Sequence, residues 1–399
     1  MIKVGIIEPV GSHGGIDVYN NSLAKTIAKN EKMDVVIYSS DSIEESTNIK
    51  SKSYFKNVYN QKILLKKIFK YIFGILKSII DAKTRRVDII HLHFFGFSLL
   101  DYFNLLIAKY IFRFKVVGTM HDIESFADFG NKNNIFNFQW WRKVDISNFI
   151  QKLDGIIVHT DYAKKTVLDK AKKYNFKILN LSRIYGVDFD YTSLKNNKKD
   201  ILKSRSRVNF PHNKKIILFF GQIKKVKNLL VVLKALKIVK KIRKDFYLII
   251  AGKAWRDDIL SYEKFISENK LKQYIDLRPE FVNNNDVPYY FNGSDIIIIP
   301  YKKIYNSGVL IRSMSYSKVI IASDLFPFKE FIENSVNGFL FKNDNHDHLA
   351  KQLIQILDYD QEKLEKIGYL AKESLQLKFK INDISNQYFN FYKKIKDKK

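Results

Sequence analysis

Residues that could hold a phosphate follow a strongly apolar run in the second half of the chain. Ile296 to Pro300 show no polar alternation, which is typical of a strand buried on both faces of a parallel sheet. A loop then leads to Ser307, Gly308 and Val309, where serine is a good helix N-cap and glycine lets a ligand approach the backbone. The first N–H groups of such a helix lack internal partners and lie at the positive end of its dipole, so they suit a phosphate. An ordinary helix cap is the alternative interpretation.

Two lysines could add positive charge to this phosphate site. Lys224 and Lys227 stand three residues apart in Gly221–Asn228, the loop after the first predicted strand of the second half. Both could reach a diphosphate held at the helix N-terminus, where charge-assisted bonds are strong. Solvated surface lysines are the alternative, because the chain has 69 lysines and arginines.

Histidines stand at the ends of two predicted strands of the first half. His91 and His93 end the third strand, and His121 with Asp122 follows the fourth. The carboxyl ends of parallel strands are where α/β sheets place ligand groups, so we expect these side chains beside a binding site. His121 is the predicted catalytic or sugar-contacting residue. No third ligand at metal spacing accompanies His91 and His93, so they are interpreted as structural or as lining the pocket, and no metal site is expected.

A glycine-rich loop, Gly11 to Gly15, follows the first predicted strand. It precedes a helix with Tyr19, Leu23 and Ile27 on one face. The loop does not spell the dinucleotide fingerprint G-x-G-x-x-G, and no acidic residue closes the second strand where a ribose clamp is expected. NAD binding is therefore disfavoured, and the loop is interpreted as one that a ligand can approach closely.

The elements that must position these residues alternate between strands and helices in both halves. This alternation indicates doubly wound parallel sheets, hence an α/β fold of two Rossmann-like domains facing across a cleft. The polar stretch from Asp188 to Asn213 marks the boundary. We expect domains at 1–205 and 206–375, with a helix in 376–399 that could return to the first. The strand candidates are Ile2–Glu8, Met33–Tyr38, Val87–His93, Phe114–Met120, Asp154–Thr160, Lys177–Ser182, Lys215–Phe220, Phe246–Ala251, Tyr274–Arg278, Asp295–Pro300 and Lys318–Ser323.

Composition limits the possible partners and compartments. The 399 residues suffice for two cores, and 0 cysteines exclude disulfides and fit a reducing cytoplasm. Nothing precedes the strand at Ile2, and no uncharged apolar run reaches the ~18 residues needed to span a bilayer, so neither a signal peptide nor a membrane span is expected. A net charge of +28 points to an anionic partner such as nucleic acid or a membrane surface. Compositional drift towards lysine is the alternative.

One segment combines this charge with apolar residues. In Asn60–Arg86, isoleucines and leucines interleave with lysines in an amphipathic pattern. Such a segment can lie in an anionic membrane interface, and Tyr102–Lys115 could add to the same face. Alternatively its apolar side packs on the sheet and its lysines are merely solvated.

Taken in order, the motifs resemble those of nucleotide-sugar glycosyltransferases of the GT-B fold, most closely glycosyltransferase family four. The resemblance covers the whole chain and is stronger in its second half. The motifs that carry it are GSHGG from Gly11, HD at His121, RIYGVD from Arg183, FFGQIKKVKN from Phe219, PYKKIYNSGV from Pro300 and SDLFPFKEFIENSVNGFLF from Ser323.

The resemblance implies transfer of a sugar from a nucleoside diphosphate donor, usually with retention and with no bound metal or cofactor. It makes the second domain the donor domain and the first the acceptor domain, and it places His121 near the donor sugar. The implied donor-binding residues are Gly14, Gly15, Lys224, Lys227, Ser307, Gly308, Val309 and Glu330. The residues expected to line the acceptor site or the cleft are His13, His93 and Asp122.

Three positions complicate the resemblance. The two glutamates that the family spaces eight residues apart fall on Ile304 and Arg312, neither of which is acidic. The sugar preference and the stereochemical outcome therefore stay open. Glu330 aligns with the glutamate of a later motif, or could instead cap a helix beginning near Phe331.

The sequence thus predicts a bacterial-type glycosyltransferase that builds a surface polysaccharide, such as capsule, O-antigen or exopolysaccharide. We expect it in the cytoplasm, peripheral at the inner face of the plasma membrane. Its expected partners are the donor, a glycan or lipid-linked acceptor and an anionic membrane surface, without nucleic acid. One alternative is a nucleotide-sugar 2-epimerase of the same fold, which needs further carboxylates. The other is a basic nucleic-acid-binding protein, although no recognised binding module is present.

Overall fold

The chain divides into two compact units, each built on its own sheet. The first unit contains the described residues up to 184 together with those from Phe379 onward, and the second runs from 197 to Lys378. The predictions for His13, Gly14 and Gly15 lie outside the described residues. The computed structural model describes residues 1–11, 16–61, 63–95, 98–124, 145–184, 197–255, 257–379 and 381–398, with backbone alone for 381–383.

In the described part of the first unit, seven parallel strands form one sheet in the order β3-β2-β1-β4-β5-β6-β7. The strand order reverses between β1 and β4, so the loops after these two strands open at the switch point of the sheet, where α/β folds bind ligands. The strands are β1 (Ile2–Glu8), β2 (Met33–Ser39), β3 (Ile49–Lys52), β4 (Ile89–Phe94), β5 (Lys115–Met120), β6 (Gly155–Val158) and β7 (Leu181–Arg183).

The helices of this unit bury one face each. Helix α1 buries Tyr19, Leu23 and Ile27 as its spacing predicts. The last helix, α14, contacts α1 and β1 and buries Tyr388 and Tyr392, so the C-terminal segment forms part of the first unit. The helices are α1 (Asp17–Ala28), α2 (Leu64–Thr84), α3 (Leu99–Leu106) with a π-helical turn at Ile107–Ile111, α4 (Ile146–Ile150), α5 (Asp161–Lys173) and α14 (Ile381–Lys396).

The second unit repeats the plan with six described parallel strands in the order β10-β9-β8-β11-β12-β13. Its switch point lies between β8 and β11. The strands are β8 (Lys215–Phe220), β9 (Phe246–Ala251), β10 (Ile275–Arg278), β11 (Ile296–Ile299), β12 (Val319–Ser323) and β13 (Phe339–Phe341). The helices are α6 (Lys198–Arg207), α7 (Leu229–Ile242), α8 (Ile259–Glu268), α9 (Val287–Gly293), α10 (Gly308–Ser315), α11 (Phe326–Lys329), α12 (His346–Leu357) and α13 (Gln361–Lys378).

The four isoleucines of β11 are fully buried, as expected of a central strand covered on both faces. At the start of this strand, Asp295 pairs with the buried Arg205 of α6 at 2.7 Å. This ion pair ties α6 to the second unit, so residue 205, the expected end of the first domain, falls inside a helix of the second unit. The predicted doubly wound α/β halves are confirmed. In the parts of the chain that are described, no helix is both long and apolar enough to cross a bilayer.

Candidate functional site

The lysine loop, Gly221–Asn228, and the loop after β11 lie side by side at the switch point of the second unit. They follow β8 and β11, which pair in parallel. The Lys302 N–H donates to the Val226 carbonyl at 2.8 Å and joins the two loops. Asn228, with a left-handed φ of 55°, donates from its amide to Asp344 at 2.9 Å. At the other end, the Gly221 N–H donates to the Ala251 carbonyl at 2.9 Å, so the loop is held at both ends.

Gly221 sets the position of Lys227. Its φ of +95° suits glycine, and a Cβ placed there would lie 2.8 Å from Lys227 Nζ and 3.7 Å from Val309 Cγ2. The ammonium thus lies beside the first turn of α10. It also lies 5.2 Å from the centre of the Tyr301 ring, whereas Lys224 Nζ lies 4.5 Å from the Trp255 ring.

The first turn of α10 has the geometry of an anion site. Ser307 is the N-cap, and its Oγ accepts from the Leu310 N–H at 3.2 Å. Gly308 and Val309 belong to the first turn, whose N–H groups have no acceptor within the helix. Apart from its chain neighbours and the backbone of its own helix, no described atom lies within 4 Å of a Cβ built on Gly308, so space for a ligand is open there.

The charge of Lys227 depends on what binds beside it. Burial, together with the nearby positive charge of Lys224, lowers the pKa of Lys227 to about 7. A phosphate placed at the first turn of α10 would oppose both effects. The structure therefore brings together Lys227, Ser307, Gly308 and Val309, with Lys224 in the same loop as Lys227.

Glu330 does not cap a helix that begins near Phe331. It is the half-buried C-cap of α11, a single turn that ends at Lys329, and no helix begins in the described residues that follow before α12. Arg312 lies on α10 with its guanidinium 5.7 Å from the Phe291 ring, and Ile304 is half-buried. Neither of the two residues at the glutamate positions is acidic, so the ribose contact of the family has no carboxylate there.

The first unit gathers four histidines at the carboxyl edge of its sheet. This histidine cluster comprises His91, His93, His121 and His159, from β4 and from the residues that follow β5 and β6. His93 Nδ1 and His121 Nε2 lie 3.1 Å apart, and the His121 and His159 ring centroids lie 5.2 Å apart. His121 is half-buried, and its ring stacks on that of Phe95 with the ring centroids 4.3 Å apart. Asp122, also half-buried, follows it.

Hydrogen bonds orient the buried members of the cluster. His91 bonds through Nδ1 to the Tyr392 hydroxyl at 2.8 Å and through Nε2 to Thr119 at 2.6 Å. His159 donates from Nδ1 to the Ile184 carbonyl, so its Nε2 accepts from the Tyr19 hydroxyl at 3.2 Å. The C-terminal helix therefore helps to fix the histidines.

The tautomer of His121 follows from its bond to His93. His93 Nε2 is buried and has no hydrogen-bond partner among the described residues. A buried N–H without an acceptor is rarer than an unfilled acceptor, which favours a proton on His93 Nδ1, donated to His121 Nε2. His121 then carries its own proton on Nδ1, where it can be donated to a ligand.

Burial keeps these histidines neutral. It lowers the pKa of His91 to about 3 and of His159 to about 4, and it lowers the pKa of His93 and His121 well below 6.5. Neighbouring histidines contribute, after burial, to the lowered pKa of His91, His93 and His121. At neutral pH, His121 is therefore suited to donate a hydrogen bond rather than to act as a cation.

Sequence reasoning missed several residues that organise these sites. Glu8 ends β1 fully buried and accepts from the N–H groups of Val10 and Gly11 and from the Asn20 amide, each at 2.8 Å. It thereby holds the start of the glycine-rich loop. His159 and Glu8 both lie at the carboxyl ends of strands. The reasoning that identified His121, that such strand ends carry ligand groups, could therefore have identified them too. Among the described residues, no group of three or more His, Asp or Glu side chains is arranged so that it could hold a metal ion.

The first unit is expected to lose stability in mild acid. A histidine held neutral when folded has a lower pKa than the 6.5 of the unfolded chain, so protons favour the unfolded state as the pH falls below 6.5. At pH 5.5 each of the three most buried histidines should cost about 1.4 kcal/mol, or ~4 kcal/mol in all. Urea unfolding at pH 7.5 and 5.5 measures this, and His91→Gln should make the decline shallower. An unfolding free energy independent of pH over this range would show that the histidines are not buried neutral.

Two family models match the chain. Residues 13–175 match Glycosyltransferase Family 4, and residues 200–374 match Glycosyl transferases group 1. The fold is similar to sucrose-phosphate synthase from Thermosynechococcus elongatus, with a TM-score of 0.74, 16% identity and 99% of each chain covered. It is also similar to HepE of Anabaena in complex with UDP-glucose, with a TM-score of 0.74, 17% identity and coverage of 99% of this chain and 100% of that one. The chain is a GT-B glycosyltransferase resembling family four.

Two curated proteins are related to this glycosyltransferase by sequence. An uncharacterized 41.2 kDa protein in the cps region of Klebsiella pneumoniae is 24% identical over 396 residues, covering 95% of this chain and 96% of that protein. Spore coat protein SA of Bacillus subtilis is 24% identical over 193 residues, covering 46% of this chain and 50% of that protein. The two family-model matches support glycosyl transfer rather than the epimerase or the nucleic-acid-binding alternative.

Proposed function

We propose that this glycosyltransferase transfers a hexose from a nucleoside diphosphate sugar to a glycan or lipid-linked acceptor in the synthesis of a bacterial surface polysaccharide. The observation that carries the donor assignment is the position of Lys227 beside the first turn of α10. The relative in a cps region and the spore coat relative support a polysaccharide product. HepE, a fold neighbour, binds UDP-glucose, which supports a nucleotide-sugar donor.

The second unit binds the donor in this proposal. Lys227 and the N–H groups of Gly308 and Val309 hold the diphosphate and stabilise the negative charge that develops as it leaves. Lys224 adds a more distant positive charge. These groups supply charge stabilisation without a metal, so the proposed reaction is metal-independent and needs no cofactor. Gly14, Gly15 and Glu330 remain proposed donor contacts.

The first unit carries the acceptor and contributes His121. As a neutral Nδ1–H donor, His121 bonds to an oxygen of the donor sugar and fixes the sugar for attack. His13, His93 and Asp122 are proposed to line the acceptor site. Retention of configuration is proposed from the family resemblance, although Ile304 and Arg312 replace the usual glutamates.

The proposed place of work is the cytoplasmic, inner face of the plasma membrane. A lipid-linked acceptor would be presented there, and a net charge of +28 suits an anionic leaflet. The protein is proposed to bind that leaflet peripherally.

The proposal is tested with the purified protein, labelled UDP-, GDP- and ADP-hexoses, and membranes from a polysaccharide-producing bacterium. One donor should raise the apparent stability, by ~2.7 kcal/mol at a hundredfold excess over its Kd, and should label the lipid or polymer fraction. Release of a 2-epimeric nucleotide sugar without an acceptor would instead support the epimerase. Failure of all three donors to bind would contradict the donor assignment.

A further inference from the structure

Helix α2 has two apolar faces, of which the unit buries only one. Tyr71, Ile75 and Ile79 are at most 8% exposed and face the interior of the first unit. Tyr71 Oη accepts from the Asn104 amide of α3 at 2.7 Å, which fixes the helix against its neighbour. Packing of the apolar side inside the unit, one of the two interpretations of this segment, therefore explains only about half of the apolar residues of α2.

The other apolar face is exposed. It is a stripe that recurs at the i, i+4, i+7, i+8 and i+15 spacing of one helix side. Phe69 is 70% exposed and Leu65 is 67% exposed. Soluble proteins rarely expose a contiguous apolar patch unless it binds something. This exposed stripe comprises Leu65, Phe69, Ile72, Phe73 and Ile80.

The neighbouring helix extends the same kind of surface. Phe103 of α3 and Tyr110 and Ile111 of the π-helical turn are all at least half exposed. Lys83 of α2 donates to the Phe112 carbonyl at 3.0 Å, which links α2 to the end of this π-helical turn. The exposed aromatic and aliphatic groups therefore belong to two adjacent elements of one unit.

A row of lysines borders the stripe. Lys66, Lys70 and Lys77 are exposed and fall on one side of α2, next to the stripe at about 100° of rotation per residue. Lys77 Nζ lies 4.5 Å from the centre of the Phe73 ring, so charge and apolar surface touch. The only acidic residue of α2, Asp81, pairs with Arg85 at 2.6 Å and accepts from the Tyr38 hydroxyl.

We propose that the exposed stripe and its row of lysines are a docking surface for an anionic lipid bilayer. The apolar side chains enter the acyl boundary while the lysines contact the headgroups, as in helices that lie in the membrane plane. Charge decides between the possible occupants. A second copy would bring the same lysines together and repel, whereas an anionic leaflet complements them.

This inference rests on the membrane location in the proposed function, and it names the surface of the protein that would contact the membrane. Binding to vesicles is measured with neither donor nor acceptor present. Failure of docking would therefore leave the transferase assignment intact, and failure of transfer would leave docking intact.

The test measures cosedimentation with phosphatidylcholine vesicles, with and without phosphatidylglycerol, at low and at physiological salt. The basic variant changes Lys66, Lys70 and Lys77 to Gln. Each lysine near an anionic surface contributes a factor of about five in partitioning, so binding should fall about 100-fold. The control changes Lys234, Lys237 and Lys241 of α7 to Gln; all three are exposed, and the same charge is removed from the other unit. The control should bind as the parent does.

The apolar variant changes Leu65, Phe69 and Phe73 to Ser at exposed positions, so the fold should be kept. Its binding to anionic vesicles should also fall at least 100-fold, including at physiological salt, where charge alone is screened. An equal loss of vesicle binding in the α7 control would overturn the proposal, because binding would then depend on net charge and not on this surface. Unchanged binding of the apolar variant, or a parent dimer that this variant dissociates, would also overturn it.

Discussion

Replacing His121 with alanine should lower kcat on the order of 10²- to 10³-fold while changing donor affinity little. The half-buried ring presents its Nδ1–H at the carboxyl edge of the sheet, and the Lys227 site belongs to the other unit. An interaction with the reacting sugar acts mainly in the transition state. Initial-rate kinetics give kcat, and calorimetry gives the donor Kd for the same preparation.

Two further variants separate the chemistry of His121 from its packing. The amide of Asn reaches the position of Nδ1 and that of Gln the position of Nε2, so His121→Asn should retain more activity than His121→Gln. Both should keep the donor Kd. A His121→Ala enzyme that transfers sugar at the parental rate would remove His121 from the mechanism.

Replacing Lys227 with methionine should weaken donor binding about 10- to 100-fold. A charge-assisted bond to phosphate contributes about 1.5–3 kcal/mol, and methionine keeps the apolar stem beside Tyr301. Calorimetry with the nucleoside diphosphate and with its sugar measures the change, which should be equal for both ligands because both carry the diphosphate.

Lys225→Met is the matched control. Lys225 lies two residues earlier in the same turn and is exposed, so its removal takes away the same charge without the proposed contact. Its donor Kd should stay within a factor of about two, since exposed charges contribute little. Equal weakening in both variants would mean that Lys227 acts only through the net charge of the loop.

Local patterns in the sequence were enough to predict most of the fold. The ends of β1, β8 and β9 were predicted correctly, because strands buried in a parallel sheet are continuous apolar runs in the sequence. The short strands β3 and β13 were missed, since four and three residues carry no periodicity that stands out. The alternative that Glu330 caps a helix near Phe331 was wrong for a similar reason: the single turn of α11 ends where a helix was expected to begin.

The sites were predicted in part. Serine and glycine before an apolar run indicated the N-terminus of α10, because capping is a local property. The burial of Lys227, the pairing of His93 with His121 and the second apolar face of α2 depend on tertiary contacts, which spacing alone does not specify. Asn60–Arg86 left two interpretations open because an amphipathic pattern does not show which apolar residues the rest of the unit covers.

The central claim is that the donor diphosphate binds beside Lys227, and proton uptake tests it most directly. Burial holds the pKa of Lys227 at about 7, so at pH 8 the free side chain is mostly neutral. A bound diphosphate stabilises the ammonium and raises this pKa. The diphosphate diester of the nucleotide sugar does not titrate near pH 8, so a proton taken up at that pH goes to the protein.

The measurement is calorimetry of donor binding at pH 8 in two buffers of different ionisation enthalpy. We expect uptake of most of one proton per donor bound, and an affinity that falls as the pH rises from 7 to 9 because the neutral lysine must first gain a proton. Lys227→Met should abolish the uptake, and Lys225→Met should keep it. Tight donor binding with a heat that is the same in both buffers would contradict the claim that the diphosphate lies at Lys227.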